Sequence, residues 1–156
     1  FSSRIRSLSR THTILVSNNW GLINISDIAA SELSGYDSDR PGRRIEVSGP
    51  PVELPSDIAR SLGLAFHELA TNAAKYGALS EPEGRVKLDW AVSENSGSTW
   101  LELKWVEVGG PPVRPPRHRG FGSTLLDKLF AKSGDHARTS YRESGLEFEA
   151  TIRCRR

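Results

Sequence analysis

The sequence predicts an α+β fold: a two-layer α/β sandwich whose mixed, largely antiparallel sheet carries its helices on one face. Three observations lead there. Residues 85–92 and 100–108 alternate apolar and polar on either side of a Ser/Asn/Gly-rich turn, the pattern of an antiparallel hairpin. A second such pattern closes the chain at 138–141 and 146–154, with Leu146, Phe148, Ala150, Ile152 and Cys154 on its buried face. Before the first hairpin, Ile58, Leu62, Ala65, Leu69 and Ala73 recur three or four residues apart, the spacing of a helix packed on a core. Each element is apolar on one side only, so the helices bury their stripes against one face of the sheet.

Taken in order, residues 1–16 read as an amphipathic helix with Phe1, Ile5, Leu8, His12 and Leu15 on one side. Its abrupt start, and the absence of any Met, give the expectation that the sequence is a piece of a longer protein. Asn18, Asn19 and Gly21 break this helix, and Ser26 with Asp27 is expected to cap a second one reaching Leu33. Residues 35–42 are polar and form a loop. Residues 44–48 alternate as a strand with Ile45 and Val47 inward, and Gly49-Pro50-Pro51 turns the chain into a short strand at 52–54. Pro55, Ser56 and Asp57 then start the long helix, which ends near Tyr76 with Gly77 as a left-handed cap. Residues 78–84 form a loop before the first hairpin. The hairpin runs into Gly109 and Gly110, a proline- and arginine-rich loop, Gly120-Phe121-Gly122, a helix over 123–132 and a turn over 133–136.

Composition narrows the function. A hydrophobic fraction of 37% and a charged fraction of 26% are those of a globular domain with a real core. No apolar run reaches membrane-spanning length, so no membrane contact is expected of this domain. One cysteine, Cys154, excludes a disulfide framework and fits a reducing cytoplasm, where an unreactive strand position is its expected role. The net charge of +2 does not point to nucleic acid, and aromatics are not interleaved with the basic clusters.

The chemistry concentrates on the long helix. Glu68, Asn72 and Lys75 stand at i, i+4 and i+7, which places them within about 60° of one another on a helix turning roughly 100° per residue. His67 and Thr71 continue this face, and the apolar stripe borders it, so the polar groups stand at a core edge as in a cleft wall. A solvated surface would present charges in the same way, yet it would use better helix formers than His67, Thr71 and Asn72. Two further segments are weak signals alone: Trp105-Val106-Glu107-Val108-Gly109-Gly110 at a strand end, and Gly120-Phe121-Gly122 opening a helix. Together the three fit a nucleotide triphosphate. Asn72 is a hard oxygen ligand for magnesium, Glu68 can orient an attacking group or hold a metal-bound water, and Lys75 offers a counter-charge to phosphate. Glu107 offers an acceptor to an exocyclic amine, and Gly109 gives a planar ring room. Gly120-Phe121-Gly122 presents backbone amides at a positive helix end.

These motifs resemble those of the HWE subfamily of bacterial sensor histidine kinases. The run from His67 to Ser80 resembles the N box of their ATP-binding domain, and Trp105-x-Glu107 with His67 supplies the three residues of the subfamily name. The glycines depart from the usual D-x-G-x-G pattern, with Glu107 for Asp and Pro111 for the last Gly. The resemblance implies a Bergerat ATP-binding fold, with residues 1–17 the end of the dimerisation and phosphotransfer helix and residues 18–156 the catalytic domain. It implies ATP and Mg2+ as cofactors and Asn72 as metal ligand. Glu68, His67 and Lys75 are the implied catalytic set, and Lys75, Tyr76, Glu107, Gly109, Gly110, Arg119, Gly120, Phe121 and Gly122 join Asn72 in binding nucleotide. Arg114, Arg117, His118 and Arg119 fall in the implied ATP lid. The implied reaction transfers the γ-phosphoryl of Mg-ATP to a histidine on the protein's own hairpin, for relay to a response-regulator receiver domain, in a homodimeric parent. His12 lies on an apolar stripe, so the acceptor is expected upstream. The same pocket would also serve a Bergerat-type ATPase, a protein serine kinase or a non-catalytic nucleotide-binding adaptor.

Overall fold

The computed structural model describes residues 21–36, 44–112, 126, 128–130 and 135–154. Among these the elements are β1 (Ile23–Asn24), α1 (Ile25–Leu33), β2 (Ile45–Ser48), β3 (Glu53–Leu54), α2 (Ser56–Tyr76), β4 (Arg85–Asn95), β5 (Ser98–Val108), β6 (His136–Arg142) and β7 (Gly145–Cys154). Residues 126 and 128–129 are helical, and the rest of the helix expected over 123–132 lies outside the described residues, as does the expected helix over 1–16. The five-stranded sheet has the order β2-β4-β5-β7-β6, and β1 and β3 form a separate two-stranded antiparallel pair. Only β2–β4 is parallel within the larger sheet; the other three pairs are antiparallel. A parallel pair needs a long crossover, and α2 lies within the connection between β2 and β4.

The α+β class expected from the sequence is the class observed. Alternation in the strands builds the core row by row: Leu88, Trp105 and Phe148 stand opposite one another across β4, β5 and β7, as do Trp90, Leu103 and Ala150. They belong to one buried cluster with Ile58, Leu62, Phe66 and Leu69 of α2 and Ile25, Ile28 and Leu33 of α1. The opposite face is charged. Arg138, Glu149, Lys104 and Asp89 form a cross-strand row of alternating sign, with Glu149 3.4 Å from Arg138 and 3.8 Å from Lys104. That face is solvated, so the described residues form two layers and not three.

Four local expectations are corrected. Val47 is not inward with Ile45: it is exposed, and Ile45 is the buried residue of β2. Asn24, and not Ser26, caps α1: its Oδ1 accepts the Ser26 N–H at 2.9 Å, because its extended backbone (φ −73°, ψ 132°) aims the side chain back at the first turn. The β4–β5 strands run further than the apolar pattern did, to Asn95 and Ser98, since Ser96 (φ 53°) and Gly97 (φ 78°) make a two-residue turn that matches strand twist. Gly77 does not take the left-handed conformation; it has φ −118°. What requires glycine there is space, because a Cβ would strike Glu107 Oε1.

Candidate active site

The polar face of α2 runs from the interior to the surface. Glu68 is only 3% exposed, Asn72 is half-buried, Lys75 is exposed and Tyr76 is 73% exposed, so its ring lies open to a flat partner. The face thus presents a carboxylate, a carboxamide, an ammonium and an aromatic ring in succession. Magnesium prefers oxygen donors and phosphate prefers cations, and Asn72 and Lys75 supply one of each about one turn apart.

His67 stands about 140° around the helix from Asn72. It turns to α1, where its Nδ1 is 3.5 Å from Glu32 Oε2 and both side chains are buried. Ala59 and Gly63, two turns and one turn before His67, are small and buried, which lets α1 lie close. His67 Nε2 is buried and makes no hydrogen bond.

The second motif meets the end of α2. Glu107 continues the inward alternation of β5, where a further apolar residue would stand, and it is 3% exposed. Its two oxygens take two donors: Oε1 accepts the Ala78 N–H at 3.0 Å and Oε2 the Trp105 Nε1–H at 3.0 Å. The strand period of two explains why Trp105 and Glu107 must be separated by one residue to share a face. Burial raises the Glu107 pKa, and the hydrogen bonds from Ala78 and Trp105 oppose that rise. Each oxygen keeps further acceptor capacity, so the carboxylate can take another donor.

Gly109 and Gly110 then rest on the turn after α2. Gly109 has φ +78°, and a Cβ at Gly110 would come within 2.6 Å of Ala78 Cα and 2.7 Å of Ala78 N. No side chain fits between these backbones. Two motifs some thirty residues apart therefore join at Ala78: the helix face of Glu68, Asn72 and Lys75, and the strand end of Glu107, Gly109 and Gly110. Arg119, Gly120, Phe121 and Gly122 lie outside the described residues, as do Arg114, Arg117 and His118.

Two participants were missed in the sequence. Glu32 had a legible signal: it occupies i+7 of the stripe Ile25, Ile28, Ala29, Glu32, Leu33, where a charge needs a buried partner. Arg44 had none, because its Nη2 donates to Ala78 O at 3.4 Å and to Glu81 O, 34 and 37 residues away.

The comparisons with known proteins converge. Residues 1–51 match the family model described as HWE histidine kinase. The chain is similar to the blue-light-activated histidine kinase of Brucella ovis, 41% identical over 132 residues, which covers 85% of this chain and 27% of that protein. It is 44% identical over 126 residues to the protein of the same name from Brucella anthropi, covering 81% of this chain and 26% of the relative. The chain thus spans about a quarter of the length of these relatives. Among solved structures, the histidine kinase domain of the Erythrobacter litoralis EL346 blue-light activated histidine kinase superposes with a TM-score of 0.65 at 20% identity, covering 97% of this chain and 73% of that one. The catalytic domain of the histidine kinase ThkA does so with a TM-score of 0.56 at 15% identity, covering 85% and 95%. At these identities the structural likeness establishes the fold.

Proposed function

We propose that this chain is a member of the HWE histidine kinase family, whose model residues 1–51 match, and that it binds Mg-ATP between α2 and the end of β5. There it transfers the γ-phosphoryl to a histidine on the dimerisation hairpin of its own parent protein. Residues 1–17 are the end of that hairpin and residues 18–156 the catalytic domain. The phosphoryl then passes to the receiver domain of a response regulator, in the cytoplasm where ATP is available, and the parent acts as a homodimer.

One observation carries this reading: the helix bearing Glu68, Asn72 and Lys75 ends at Tyr76, two residues before Ala78, on which Glu107 and Gly110 converge. Asn72 is the protein's ligand to magnesium, which when bound neutralises charge on the transferring phosphate. Lys75 adds a counter-charge at the same end. The exposed Tyr76 ring and the backbone at Gly109 and Gly110 receive the base, whose exocyclic amine Glu107 accepts. Arg119 and the amides of Gly120, Phe121 and Gly122 hold phosphate. Glu68 orients the incoming imidazole by accepting its N–H, which leaves the other ring nitrogen as nucleophile. His67 supports the catalytic helix through its contact with Glu32 on α1.

The test supplies a hairpin carrying an acceptor histidine in trans, with γ-labelled ATP. The expected result is acid-labile label on the hairpin, reduced about a hundredfold in Glu68→Ala with nucleotide binding retained. A chain that binds nucleotide but leaves the hairpin unlabelled would contradict the kinase assignment.

A further inference from the structure

The segment between α2 and β4 is fastened by side chains from two distant strands. Glu107, near the end of β5, accepts the Ala78 N–H at 3.0 Å. Arg44, immediately before β2, donates from Nη2 to the Ala78 carbonyl at 3.4 Å and to the Glu81 carbonyl. Both polar atoms of the Ala78 main chain are therefore engaged by charged groups of opposite sign. The turn has internal bonds as well: Ser80 N–H and Oγ–H both donate to Gly77 O, at 3.0 and 2.6 Å, Glu81 N–H donates to Ala78 O at 3.4 Å, and Gly84 N–H donates to Glu81 O at 3.2 Å. These close the turn on itself but do not fix its place relative to the sheet. Glu107 does so from β5, and Arg44 does so from the other side, because its own carbonyl accepts the Val86 N–H at 2.9 Å and so ties the guanidinium to the start of the β2–β4 ladder.

What rests on this turn is the base end of the site. A Cβ at Gly110 would meet Ala78, and one at Gly109 would meet Glu83 O at 2.7 Å, so neither glycine can keep its position if the turn moves. Asn72, by contrast, lies within the hydrogen-bonded body of α2, about one turn before the helix ends at Tyr76. We infer that Arg44 is a positioning residue for nucleotide-base recognition: by holding the Ala78 and Glu81 carbonyls it sets the platform on which Gly109 and Gly110 sit. This rests on the ATP-site reading above and adds a division of labour to it, with the base end dependent on Arg44 and the phosphate end independent of it.

The experiment titrates the 156-residue chain, as wild type, Arg44→Ala and Arg44→Lys, with the magnesium complexes of a non-hydrolysable ATP analogue, its GTP counterpart and inorganic tripolyphosphate. Loss of charge-assisted hydrogen bonds predicts about tenfold weaker binding of the ATP analogue in Arg44→Ala. The preference over the GTP analogue should fall by a similar factor while tripolyphosphate affinity stays unchanged. Arg44→Lys should lie between, since an ammonium keeps the charge but stands one bond shorter than the Nη2 that donates to both carbonyls. Unchanged ATP affinity and preference in Arg44→Ala would overturn the inference, and so would an equal loss for all three ligands, which marks a purely structural residue. If Arg44→Ala does not fold, a wild-type ATP preference in Arg44→Lys overturns it. A folded wild type with no preference for the ATP analogue would refute the site reading itself, and this inference with it.

Discussion

Glu107 shows how much one residue type can specify. Its carboxylate accepts from a main-chain amide and an indole, so the neutral amide of Glu107→Gln would set its NH2 against one of those donors. We expect that variant to lose about 1–3 kcal/mol of stability, the cost of a buried donor left unpaired, as read by denaturant unfolding. Burial raises the folded-state pKa of Glu107, so the folded chain binds this proton more tightly than the unfolded chain. Its contribution to stability therefore falls as pH rises from the ordinary glutamate value through the raised one. Wild-type stability measured relative to Glu107→Gln should show that fall across the acidic window, and a relative stability that rises there would contradict it. The carboxylate was legible as functional from its place beside two glycines, but its partner Ala78 was not, since nothing in an alanine announces a hydrogen bond from its backbone.

Among the elements, α2 was the most legible, because an apolar stripe from Ile58 to Ala73 and a polar stripe from Glu68 to Lys75 both repeat at the helical period. Its second buried face, against α1, was less so: Ala59, Gly63 and His67 carry no hydrophobic bulk, and only Glu32 in the stripe of α1 hinted at them. If Glu32 and His67 form the link between the helices, a double-mutant cycle of Glu32→Ala and His67→Ala should give a coupling energy of at least about 0.5 kcal/mol, measured by chemical denaturation. Additive effects would show that His67 acts elsewhere. At the end of β5, Gly110→Ala drives a Cβ into the main chain of Ala78, which cannot yield as a side chain would. That substitution should cost about 1–3 kcal/mol in thermal unfolding and weaken nucleotide binding together. The ends of elements were the least legible, as Asn24 and Gly77 show: their caps depend on backbone angles and on neighbours remote in sequence.

For the whole molecule, the hairpins made the sheet legible because a strand that alternates next to a turn must pair with the strand that follows it. The parallel pairing of β2 with β4 was not, since that contact spans α2 and has no local signature. The charged outer face, with Arg138, Glu149, Lys104 and Asp89 in a row, follows from the same alternation that fills the core. Among the described residues no helix is long and apolar enough to cross a membrane. The fold brings the motif-bearing helix and strand together at one edge, where Mg-ATP is proposed to bind. The most direct measurement is calorimetric titration of the folded chain with a non-hydrolysable ATP analogue, with and without magnesium, beside Asn72→Ala. Binding should require magnesium in the wild type and be weakened about tenfold or more in Asn72→Ala. Binding indifferent to both magnesium and Asn72, or none by the folded wild type, would contradict that proposal.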